Sequence, residues 1–81
     1  MRQEVNEQVD VLASFTKEKT KVLALRWGNT KYIISKLNMV FEANKGREKV
    51  RYFSVSDNTN NFTLAFNPNT LVWTLKEVYF N

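Results

Sequence analysis

The sequence predicts an all-β protein: an antiparallel meander of about six strands, curled into a small, partly closed barrel. Three observations lead there. Apolar and polar residues alternate with a period of two through Phe62–Asn67 and Leu71–Lys76. Short clusters of Asn, Asp, Gly, Ser, Thr and Pro separate the apolar runs. No run of helical spacing stands between them, so no parallel crossover is available.

The first strand is expected over Val9–Thr16, where Val9, Val11, Ala13 and Phe15 alternate. Val5, Val9 and Leu12 also fit helical spacing, so residues 1–8 are left as either disordered or a short helix. Lys17–Thr20 is a charged turn. The second strand, Lys21–Trp27, places Leu23, Leu25 and Trp27 on one face. Gly28-Asn29-Thr30 supplies a turn in which Gly28 can take positive φ. Tyr32 opens a long third strand reaching Glu42. Its parity changes midway: Tyr32 and Ile34 share one face, and Leu37, Met39 and Phe41 the other. A bend or bulge near Ser35–Lys36 reconciles the two halves.

Asn44 and Gly46 mark the next turn. Lys49–Ser56 is rich in β-branched and aromatic residues, as strands are. Asp57–Asn61 is a run of turn formers, followed by the alternating strand Phe62–Asn67. Asn67-Pro68-Asn69-Thr70 is a turn with Pro68 pre-set for its second position. The last strand begins at Leu71 and runs toward Phe80, its Val78-Tyr79-Phe80 end closing the barrel. Leu25, Trp27, Ile34, Phe62, Leu64, Phe66 and Trp73 are the expected core.

The chain has 81 residues, the size of a single domain, with a net charge of +4, no cysteine and no histidine. Common nucleophilic triads and most zinc sites lack their residue types. The acidic residues are scattered; Glu42 and Glu48 flank one turn, where a surface pairing is the expected role. Neither Gly28 nor Gly46 belongs to a phosphate-cradling loop. The expectation is a protein that is not an enzyme and has no cofactor and no metal. No apolar run is long enough for a membrane-spanning helix and the first ten residues are polar, so a cytoplasmic protein without a membrane partner is expected.

Charge is uneven along the chain. Residues 11–51 carry ten basic side chains against Glu18, Glu42 and Glu48, a net of +7. A basic stretch interleaved with aromatics favours nucleic acid, because cations track phosphates while rings stack on unpaired bases. The candidate nucleic-acid-binding residues are Arg26, Lys31, Tyr32, Lys36, Arg47, Lys49 and Arg51. Lys45-Gly46-Arg47 only faintly matches the aromatic strand of RNA-recognition domains, since Arg47 and Glu48 fill its aromatic positions.

From Val9 to Phe80 the pattern resembles a group of small uncharacterised bacterial all-β domains. Its elements here are Val11-Leu12-Ala13-Ser14-Phe15, the hairpin of Trp27, Gly28 and Tyr32, and Phe41. They continue with Tyr52-Phe53-Ser54-Val55, Phe62-Thr63-Leu64, Asn67-Pro68-Asn69-Thr70 and Trp73-Thr74-Leu75. Phe41 stands where a Trp is common. The resemblance implies core and turn roles for these residues and no activity. Some such domains are encoded beside genes for DNA-repair polymerase-like proteins, so it also implies a nucleic-acid setting. Two readings follow: a nucleic-acid-associated binding module using the basic middle segment, or a protein-interaction module, including a homodimer paired through sheet edges.

Overall fold

A computed structural model describes residues 1–80, all of them in one antiparallel sheet or its turns. The strands are β1 (Arg2–Phe15), β2 (Thr20–Trp27), β3 (Thr30–Ile33), β4 (Lys36–Lys45), β5 (Glu48–Ser56), β6 (Asn60–Asn67) and β7 (Val72–Phe80). Their order across the sheet is β3-β2-β1-β7-β6-β5-β4. The all-β meander is therefore as the sequence predicts, with seven strands rather than six. The extra strand comes from the long third one, which breaks in two at the bend its change of parity signals.

That bend joins the two free edges of the sheet. The Ile34 N–H donates to Leu23 O of β2 at 3.0 Å, and the next N–H, of Ser35, donates to Ser56 O of β5 at 2.9 Å. One peptide unit thus crosses from one edge to the other. Beyond it β3 and β4 are not paired, so the barrel is only partly closed. Its hydrogen-bonded seam lies instead between β1 and β7, from Arg2↔Tyr79 to Val9↔Trp73.

Residues 2–8 are neither disordered nor helical: they form the first half of the 14-residue β1. Propensity gives no hint of this, because Gln3, Glu4, Asn6, Glu7 and Gln8 are polar on both faces. Pairing with β7 fixes them, with an irregularity between Glu4 and Glu7 where Asn6 takes a φ of 54°. Asn tolerates that conformation better than most residues.

The inner face holds the core. Phe53, Val55, Phe62, Leu64, Leu75, Val78 and Leu25 are almost wholly buried. Each side chain of this size contributes about 1.5–3 kcal/mol by leaving water. Phe66, Trp73, Val9 and Val22 complete the cluster. Trp27 and Ile34, expected inside, are half-buried and pack against its margin. The Trp73 ring lies 4.5 Å from Phe66 and 5.2 Å from Phe53, which ties β7 to β5 and β6.

β4 departs from the expected pattern. A bulge at Asn38 lets Leu37 pair with Val55 while Met39 pairs with Ser54 and Phe41 with Tyr52. Leu37 and Val40 therefore face inward, and Met39 and Phe41 outward, instead of Leu37, Met39 and Phe41 sharing a face. All four remain 44–58% exposed along an unpaired edge.

Candidate nucleic-acid interface

Two hairpin tips depend on glycine. Trp27↔Thr30 and Lys45↔Glu48 close two-residue turns, and Gly28 and Gly46, each first in its turn, have φ of 63°. A side chain is disfavoured there by the backbone alone, since the surroundings of both positions are open. The sequence GN at one tip and GR at the other fits turns that need positive φ at their first position.

The seven predicted residues do not form one face. Arg26 and Lys31 are cross-strand partners on the outer face of β2–β3, and Arg26 Nη2 is held 3.0 Å from Asp10 Oδ2. Tyr32 points the other way: it pairs with Leu25, and its ring lies 5.0 Å from Phe62, tilted by 56°. Lys36 sits alone at the start of β4, opposite Ser56. Arg47, Lys49 and Arg51 gather around the β4–β5 tip. Tyr32 is a packing residue, and Arg26 and Lys31 are remote from the β4–β5 tip.

A different grouping emerges from the strand directions. In an antiparallel meander every second turn lies at the same end. The β1–β2 turn, the β4–β5 tip and the β6–β7 turn therefore share one rim, since β3 and β4 run on in the same direction. Contacts join this rim. Asn67 Nδ2 donates to Glu48 Oε2 at 2.7 Å, and the Phe15 ring lies 5.7 Å from Phe66.

Around this rim stand Lys17, Lys19, Lys21, Lys45, Arg47, Lys49 and Arg51, against Glu18, Glu42 and Glu48. The other basic residues, Arg2, Arg26, Lys31, Lys36 and Lys76, are matched in number by Glu4, Glu7, Asp10, Asp57 and Glu77. The two hairpin segments at this rim, residues 17–21 and 42–51, thus carry a net +4, while Asp10 lines a groove beside Phe15 and Leu71. Ion pairing is uneven in the same sense. Arg2 lies 2.6 Å from Glu77 and 3.0 Å from Glu4, away from the basic rim. The Glu77 hydrogen bond, then its charge, hold the Arg2 guanidinium above its ordinary pKa. At the basic rim the ion pair among the described residues is Arg51–Glu42, at 3.6 Å.

The rim surrounds a cleft of about 610 Å³ lined by Phe15, Glu42, Arg51, Phe66, Pro68 and Leu71. Phe15 is 59% exposed and Leu71 71% exposed. Lys17, Lys19, Lys21, Lys45 and Phe15 lie outside the set read from the sequence, although turn parity alone would have collected the lysines. Among the described residues no group of three acidic side chains could hold a metal ion, and no helix is long and apolar enough to cross a membrane.

Comparison of the chain with protein-family models, with curated proteins and with solved structures finds no match.

Proposed function

We propose that this chain is a non-enzymatic β-barrel module that associates with nucleic acid, binding phosphates along its basic rim. The observation that carries the reading is the excess of basic side chains on the β1–β2 and β4–β5 hairpin ends at one rim, beside the exposed Phe15 ring. Arg51 lines the cleft, and Lys17, Lys19 and Lys21 on one hairpin and Lys45, Arg47 and Lys49 on the other stand at the same end of the sheet, so a phosphate chain laid along the rim meets cations from two hairpins. Each neutralised phosphate releases counterions, and affinity must then fall steeply with salt. The experiment is an anisotropy titration with labelled oligonucleotides at low salt, repeated at rising salt. Binding that weakens log-linearly with salt supports the reading; no binding at tens of micromolar protein sinks it.

A second reading, self-association, is favoured by one observation. β4 presents ten residues of unpaired edge with Leu37, Met39, Val40 and Phe41 exposed. Long apolar edges are templates for pairing, and a second copy of β4 could add antiparallel about a two-fold axis. Val40 would then face its own copy and Met39 the partner strand's Phe41. Sedimentation equilibrium tests it: a dimer lost on Val40→Lys supports this arrangement, and a monomer at high concentration removes it.

A further inference from the structure

The cleft inside the basic rim is built from two kinds of surface. One side is apolar. Phe15 rests on Phe66 at 5.7 Å, tilted by 41°, and Phe66 is backed by Trp73. The ring of Phe15 is thus propped from below while its other face stays in solvent. Pro68 and Leu71 come from the β6–β7 turn.

That turn is held by its own hydrogen bonds. The Leu71 N–H donates to Asn67 O at 2.8 Å, and Asn67 Oδ1 accepts from the Asn69 N–H at 2.9 Å. Leu71 takes a φ of 61°. A glycine would adopt this freely, whereas a leucine adopts it at a cost. Strain of this kind persists where surrounding structure enforces it, often at ligand sites. Here it holds a large apolar side chain in water at the lip of the cleft.

The other side is polar. Arg51 Nε and Glu42 Oε2 are cross-strand partners 3.6 Å apart, longer than a charge-assisted hydrogen bond. Both keep hydrogen-bonding capacity, so the cleft offers donors and acceptors side by side.

A ligand using the whole site must have an apolar planar face, an edge with both donors and acceptors, and attached negative charge. Inorganic polyphosphate has no use for Phe15 and Leu71. A hydrocarbon chain has no use for Arg51 and Glu42. A nucleobase in a phosphate chain uses all of them.

We infer that the cleft receives one unpaired nucleobase of a single-stranded nucleic acid. The base stacks on Phe15, packs against Leu71 and Pro68, and hydrogen bonds through its edge to Arg51 and Glu42. The phosphates on either side lie against the rim lysines and Arg47. This inference rests on the phosphate-binding role proposed for the rim, and adds that bases are read as well.

The test compares three labelled probes of equal length with the intact protein: a DNA single strand, the same strand with abasic positions throughout, and the blunt duplex. The single strand should bind roughly tenfold more tightly than the abasic strand, the scale of a base stacked on an aromatic ring. Phe15→Ala should cut that difference severalfold, and Phe15→Tyr, which keeps a ring, should restore it. Equal binding of the single and abasic strands, or of the single strand and the duplex, overturns the base site while leaving the rim reading intact. Failure of all three probes to bind at low salt overturns both.

Discussion

The two ends of this barrel are made of the same kinds of residue and treated in opposite ways. At the end away from the basic rim, charges are nearly balanced, Arg2 is paired with Glu4 and Glu77, and backbone hydrogen bonds close the structure. Among them are the crossing at Ile34–Ser35 and the 2.8 Å bond from the Phe80 N–H to Met1 O. At the basic rim, cations outnumber acids and a cleft with one apolar and one polar side stays open. A surface built only for solubility gains nothing from collecting most of its excess charge at one end. Like charges held together cost stability, and the binding role proposed for the basic rim would account for that cost.

The sharpest way to break this contrast is to reverse charges at both ends separately. Lys17→Glu, Lys19→Glu, Lys45→Glu and Arg47→Glu together should lower oligonucleotide affinity at least about a hundredfold at low salt and flatten its salt dependence. Urea unfolding should show stability unchanged or raised. Arg26→Glu with Lys31→Glu should change affinity less than about threefold, because these residues lie elsewhere. If both sets weaken binding equally, the rim is not the interface.

Smaller effects sharpen the comparison. Gly28→Ala, at the hairpin tip of the balanced end, should destabilise by about 1–2 kcal/mol from its φ alone, measured by urea unfolding, with binding untouched. Leu71→Gly, at the basic rim, should do the reverse. It relieves a strained backbone, gains about 0.5–1 kcal/mol, and narrows the preference for a single strand over an abasic one.

The smallest effect concerns Asp57 in the β5–β6 turn. Partial burial pushes its carboxyl up, but N–H groups of Asn60 at 2.6 Å and Thr59 at 2.8 Å outweigh that and leave it below its ordinary pKa. A lowered folded pKa gives stability that is complete above the unfolded value of about 3.9 and is lost as pH falls through the folded value. Asp57→Asn should therefore flatten the acid end of the stability curve and leave it unchanged near neutrality in shape.

Much of the fold was legible because β6 and β7 alternate cleanly and Gly, Asn, Asp or Pro mark every hairpin but the first, where Lys17-Glu18-Lys19 is a charged turn. The parity change between Ile34 and Leu37 even located the bend. Two features were not legible. The first half of β1 carries no periodicity, since its strand conformation is imposed by β7. The bulge at Asn38 is silent because β4 is apolar on both faces, so a shift in register leaves no trace in the pattern. Of the proposed rim, Arg47, Lys49 and Arg51 were expected from the sequence because they cluster in it. Lys17, Lys19 and Lys21 join them by turn parity, from the end of a different hairpin, and Phe15 only through the packing of its ring on Phe66.

The seam between β1 and β7 has a kinetic consequence. Arg2 and Glu77, joined across it, are 75 residues apart in the chain. The β4–β5, β5–β6 and β6–β7 pairings are local and can zip up quickly, while the seam must wait for nearly the whole chain to loop back. Until it does, Val78, Leu75 and Trp73 lack the strand that covers them, and Val9 has nowhere to dock. Closing the seam is then the late event of folding, and Val9→Ala should speed unfolding far more than it slows refolding in stopped-flow measurements.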